Sequence, residues 1–105
     1  MYRQGDVLIV PVDEIPEGSL VGEAGERIVL AAGEATGHAH TITSDQVTVW
    51  HRIQHDNNEA QIFLQVMTPV DVEHQEHAPI TLPPGLYRVV RQREYDPEEN
   101  RRVAD

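Results

Sequence analysis

The chain has no cysteine and no lysine. Without cysteine there are no disulfides, thiolate nucleophiles or zinc fingers, so any bound metal must be held by imidazole and carboxylate. Without lysine, Schiff-base and P-loop chemistry are excluded, because both need an amine. No apolar run approaches the roughly eighteen residues of a membrane span, and Met1 to Asp6 lacks a signal peptide's apolar stretch, so the expectation is a cytoplasmic protein without membrane attachment. Eighteen acidic residues against eight arginines give a net charge of −10, which repels phosphate backbones and excludes general nucleic-acid binding. A basic strip at Arg88, Arg91, Arg93, Arg101 and Arg102 leaves room for one specific anionic partner.

What is present reads as strands. At 105 residues the chain is large enough for a single core, placed over 1–95, with 96–105 as a tail or short helix opened by Asp96-Pro97-Glu98-Glu99. Val7 to Val12 is a continuous β-branched and apolar run, predicting a strand buried on both faces, with Pro11 at an edge or bulge. Arg27 to Ala31 is a second strand, and Leu20 to Glu26, broken by Gly22 and Gly25, reads as loop. Val47 to Gln54 and Ala60 to Val66 both alternate and flank a hairpin-type loop at His55 to Glu59, predicting an antiparallel pair. Trp50 and Phe63 fall on the more polar faces of that pair, so a second layer or a subunit contact should cover them, and a homo-oligomer is expected. Short strands at Val70 to Val72, Pro79 to Leu82 and Leu86 to Gln92 complete an all-β protein. The predicted fold is a small antiparallel barrel or sandwich of about seven to eight short strands.

Four of the six histidines occur as two pairs. His38 and His40 flank Ala39, so on a strand both imidazoles face one way. His74 and His77 are three apart, and both can reach a common centre only if Gln75-Glu76 turns or bulges. The predicted metal ligands are His38, His40 and one of the later pair, His77 ahead of His74 because Pro79 stiffens its loop. Glu76, Glu73 and Asp45 are the carboxylates placed to act as fourth ligand, hydrogen-bond partner of a ligand, or general base. The cofactor expected is a divalent transition metal: zinc, iron, manganese or nickel. His51 and His55 flank the hairpin loop and are read as solvated.

His38-Ala39-His40 followed by Pro83-Pro84-Gly85 resembles the two-motif plan of the cupin superfamily, small β-barrels with a His-x-His motif and a later Pro-x-Gly motif. That resemblance implies a barrel with a metal centre. Arg88 stands where the last cupin histidine would fall, and the glutamate expected after His-x-His is at best Asp45, so His74 or His77 would replace the missing ligand. The segments Gly37 to His40, Glu76 to Ile80, Leu82 to Val89 and Gln92 to Tyr95 also resemble a set of small uncharacterised bacterial and phage proteins. Leu82-Pro83-Pro84-Gly85-Leu86-Tyr87 is similar to the tyrosine corner of β-sandwiches, which gives Tyr87 a structural role.

Three functions fit these residues. The first is a histidine-ligated metal-binding protein, with or without catalysis on a small substrate. The second is a non-catalytic oligomeric or interaction module. The third is a pH-responsive protein, since protonating all six histidines would take the charge from −10 to −4. No serine has a neighbouring base, so a catalytic nucleophile is not identified.

Overall fold

The computed structural model describes residues 1–22, 27–32, 37–53 and 60–91. The predicted tail at 96–105 and the hairpin loop at His55 to Glu59 lie outside them. The described residues form ten strands and no helix: β1 (Tyr2–Gln4), β2 (Val7–Pro11), β3 (Leu20–Val21), β4 (Arg27–Ala32), β5 (Ala39–Thr43), β6 (Val47–Ile53), β7 (Ala60–Val66), β8 (Val70–Glu73), β9 (Ile80–Leu82) and β10 (Gly85–Arg91). They make two antiparallel sheets, in the orders β1-β2-β10-β7-β6-β3 and β4-β5-β8-β9. The all-β prediction holds. The strand count rises because β1, Tyr2-Arg3-Gln4, is mostly polar and β3 is two residues ending before Gly22, so neither stands out in the sequence.

The hairpin of β6 and β7 forms as expected, with Val47 opposite Val66 and Trp50 opposite Phe63. Its inward face, Val47, Val49, Ile62, Leu64 and Val66, packs against Ile42, Val72 and Leu82 of the second sheet, so the core lies between the two layers. Phe63, on the opposite face, is only 4% exposed, so that face is not wholly solvated. β2 is an interior strand, and Val7, Leu8 and Ile9 are buried. Pro11 is tolerated there because β1 pairs only as far as Ile9, leaving Pro11 unpartnered on the β1 side. The segment read as a loop from Leu20 contains β3, where Leu20 and Val21 pair with His51 and Trp50.

Gly5 and Asp6 form the two-residue connection between β1 and β2, with Gln4 opposite Val7. Such a tight hairpin needs a positive φ, and Gly5 supplies one at 59°. At the opposite corner, where β9 of one sheet passes to β10 of the other, the Tyr87 hydroxyl donates to the Pro83 carbonyl at 2.6 Å. The tyrosine-corner expectation is met. Burial, together with Tyr2 at a ring-centroid distance of 6.2 Å, raises the Tyr87 phenol above its ordinary range, which suits a donor and not a catalytic phenolate. Tyr87→Phe keeps the ring and removes this bond, so chemical denaturation should show a loss of about 1 kcal/mol. An unchanged stability would contradict the structural role.

Candidate functional site

One cleft, at the end of the two-layer stack, collects side chains from both sheets. Asp6 comes from the β1–β2 turn, Ala32 from the end of β4, His38 and His40 from the start of β5, His74, Glu76 and His77 from the β8–β9 connection, and Arg91 from the end of β10. Its volume is about 210 Å³. The two histidine pairs meet here because the chain bends at Gln75–His77, which was the condition for His74 and His77 to serve one place. The His40 and His74 rings lie 4.4 Å apart by centroid, His74 and His77 4.7 Å, His38 and His74 5.6 Å, and His40 and His77 6.3 Å.

Two glutamines hold these segments together. Gln75 Oε1 accepts the Ala39 amide at 2.9 Å, tying the bend to the strand between His38 and His40. Gln4 Nε2 donates to the carbonyls of Val72 and Ala78, both at 2.9 Å, so one amide grips both ends of the histidine-bearing connection. Those two carbonyls also fix which end of Gln4 is nitrogen. Its Oε1 therefore points at His40 Nδ1, 2.8 Å away, and that ring nitrogen must carry the proton. His40 and Gln4 are the two buried polar side chains found among the described residues.

Neutral His40 then presents its Nε2 lone pair to the cleft, with Asp6 Oδ1 at 3.4 Å. Two acceptors thus oppose each other, a disposition that a proton or a cation between them relieves. The proton is disfavoured. Burial lowers the affinity of His40 for it, His74 adds to the lowering, and Asp6 opposes both without reversing the result, while His77 contributes a smaller lowering.

His38 shows a related arrangement, its Nδ1 lying 3.3 Å from Glu76 Oε1. A carboxylate acceptor at Nδ1 is the usual support for a metal-bound histidine. His74 is placed the other way. Its Nδ1 accepts the Glu76 amide at 3.0 Å, which puts the proton of the neutral ring on Nε2. His77 fits against Gly5, where a Cβ would stand 2.6 Å from its Nε2, so that glycine serves both the hairpin and the ring's space. With the side chains so placed, no group of three or more histidine or carboxylate residues among those described is set to hold a metal ion. The rings are gathered, but their lone pairs are not converged.

Of the carboxylates singled out in the sequence, Glu76 lines the cleft. Glu73 lines a separate groove with Ala39, Thr41, His74 and Gln75, and Asp45 bonds Gln46 in the turn after β5. Neither reaches the cleft. Sequence reasoning missed Gln4, Gly5, Asp6 and Gln75 at the site. Gly5-Asp6 carried a turn signal, but nothing in the local pattern linked it to residues more than thirty positions away.

Replacing Gln4 by alanine should cost roughly 2–4 kcal/mol in urea or guanidinium unfolding, because the buried His40 Nδ1–H loses its acceptor and two carbonyls lose their donor. A cost near zero would mean that the clamp is dispensable. For His40 the pH dependence has a definite sign. Its folded affinity for protons is below that of the unfolded chain, so its contribution is complete above about pH 6.5 and is lost as pH falls from there through the lowered folded value. Unfolding free energies with chelator present should rise from pH 5.5 to 7.5, and His40→Asn should flatten the slope. An equal slope in the variant would remove His40 from this role.

No curated protein and no solved structure matches the chain. A family model described as a domain of unknown function, DUF8820, matches residues 3–92, which include every residue of the cleft. The protein is a member of this DUF8820 family.

Proposed function

We propose that this protein binds a divalent transition metal ion in the histidine cleft. The observation that supports the reading most directly is the Gln4-directed tautomer of His40, which aims an unprotonated Nε2 at Asp6 Oδ1 from 3.4 Å. Borderline ions such as zinc, iron, manganese or nickel suit a set of imidazoles with one or two carboxylates. His40 would anchor the ion, and His38, His77 and Asp6 or Glu76 would complete the set only after their side chains turn to converge on it. His74 would join only after its ring turns away from the Glu76 amide. The His-x-His strand with later histidines, similar to the cupin plan, favours the same reading.

The bound ion would serve as a Lewis acid toward a small ligand in the cleft. The chain's own contribution is to hold His40 in one tautomer, keep it largely out of water, and place Asp6 and Glu76 beside the imidazoles.

Untagged protein purified without chelator should contain about one transition metal per chain by elemental analysis, and His40→Ala should lose it. Adding the metal at 100 times its Kd should stabilise the wild type by about 2.7 kcal/mol. A blank after supplementation, with no shift in melting temperature, would sink the reading. The histidines would then be structural, and the exposed apolar side chains Leu20, Val21 and Ile53 would favour the alternative of a self-associating interaction module.

A further inference from the structure

The opposed pair at His40 and Asp6 calls for a hydrogen-bond donor as well as for charge. With its proton held on Nδ1 by Gln4 Oε1, His40 is only 5% exposed and keeps an unprotonated Nε2 on the cleft. Asp6 Oδ1, 3.4 Å away, is an acceptor too. Among the described residues no group donates to that Nε2. The guanidinium of Arg91 approaches the other Asp6 oxygen, Oδ2, at 3.9 Å, while its Nη2 donates to the Ala32 carbonyl at 3.4 Å.

Charge and size narrow the occupant. With neutral imidazoles the lining sets the carboxylates of Asp6 and Glu76 against the one guanidinium of Arg91, which leaves one net negative charge and suits a monovalent cation. A volume of about 210 Å³ is below the roughly 300–1,000 Å³ of sites for drug-sized ligands, so the occupant has only a few heavy atoms. An alkali ion brings charge but no N–H. An ammonium group brings both, and one nitrogen beside the pair reaches Nε2 and Oδ1 at ordinary hydrogen-bond lengths of about 2.7–3.2 Å.

We propose that the cleft, with its rings as they stand, takes the primary ammonium group of a small amine, which donates one N–H to His40 Nε2 and another to Asp6 Oδ1. This goes beyond the metal reading and uses no metal. A metal ion needs further side chains to turn inward, whereas the ammonium uses an acceptor pair already in place. The two occupants exclude each other, because both fill the space between His40 and Asp6.

The test is a titration of the chelator-treated full chain with methylammonium chloride and, separately, ammonium chloride, each against tetramethylammonium chloride at equal ionic strength. It is followed through the imidazole nitrogen NMR signals. Methylammonium should move the His40 Nε2 signal saturably, and tetramethylammonium, which has the charge but no N–H, should leave it in place. Asp6→Asn supplies an amide donor to Nε2 and should weaken binding at least tenfold, whereas Glu76→Gln removes the same charge without touching the pair and should weaken it less. Methylammonium binding more tightly than ammonium assigns an alkylamine, and the reverse assigns the free ion. No saturable shift in the wild type, an equal response to tetramethylammonium, or equal affinity in Asp6→Asn overturns the proposal. Zinc content of untreated protein separates the two readings: zinc held without a methylammonium response removes only this proposal, and a methylammonium response without zinc removes only the metal reading. Where both bind, zinc should displace methylammonium, and simultaneous binding would overturn the shared position.

Discussion

The side-chain amide of Gln4 is the constraint on which the site depends. It has one oxygen and two N–H donors, and in this fold all three roles are assigned: two carbonyls on either side of the 73–77 segment, and one imidazole on the strand beside it. Because the amide is 2% exposed, water cannot substitute for a missing partner. The three contacts therefore stand or fall together. Without this amide His40 would be free to choose either tautomer; with it in place, the wrong tautomer would set Nδ1 against Oε1 as two acceptors.

That constraint also explains why the second sheet needs the first. β1 and β2 belong to the six-stranded sheet, whereas β5 and β8 belong to the four-stranded one, and the Gln4 bonds cross from one to the other. Apolar packing of Ile9, Ile42, Leu64, Val72 and Leu82 brings the layers together but has no directional preference. The amide adds direction at one edge and the Tyr87 hydroxyl adds it at a corner. His74 and His77, with rings 4.4 and 6.3 Å from that of His40, add to the burial that disfavours protonation of His40.

Much of the fold was legible in the sequence because five to seven residues that alternate, or that run continuously β-branched and apolar, report a strand directly. The β6–β7 hairpin, β2, β4, β5 and β10 all have that length. β1, Tyr2-Arg3-Gln4, is mostly polar, and β3 is two residues ending before Gly22, so neither stands out as the equally short but mostly apolar β9 does. The site was half legible for a related reason. His38-Ala39-His40 announces its shared face through the pleat, and His74 and His77 needed only a bend whose existence was the open condition. Gln4, Asp6 and Gln75 gave no such sign. A glutamine hydrogen-bonded across 36 or 68 positions is defined by sheet closure, and a single chain carries no local trace of it. Glu73 and Asp45 do not line the cleft, and nearness in sequence was the reason for choosing them. Glu73 follows Val72, which is buried in the core, and the strand's alternation turns its own side chain outward.

The cleft draws on residues 6, 38–40, 74–77 and 91, segments that meet only when both sheets are formed and stacked. An ion held by that combination would have no equivalent site in the unfolded chain, so its binding free energy would add directly to folding free energy. The same linkage runs backward. Loosening the Gln4 clamp lowers the fraction of molecules with a formed cleft, and apparent affinity falls with that fraction even where no ligand atom is touched. In a domain of this size, where total stability is only about 5–15 kcal/mol, the glutamine that orients His40 thus matters to the formed cleft as much as the histidine itself.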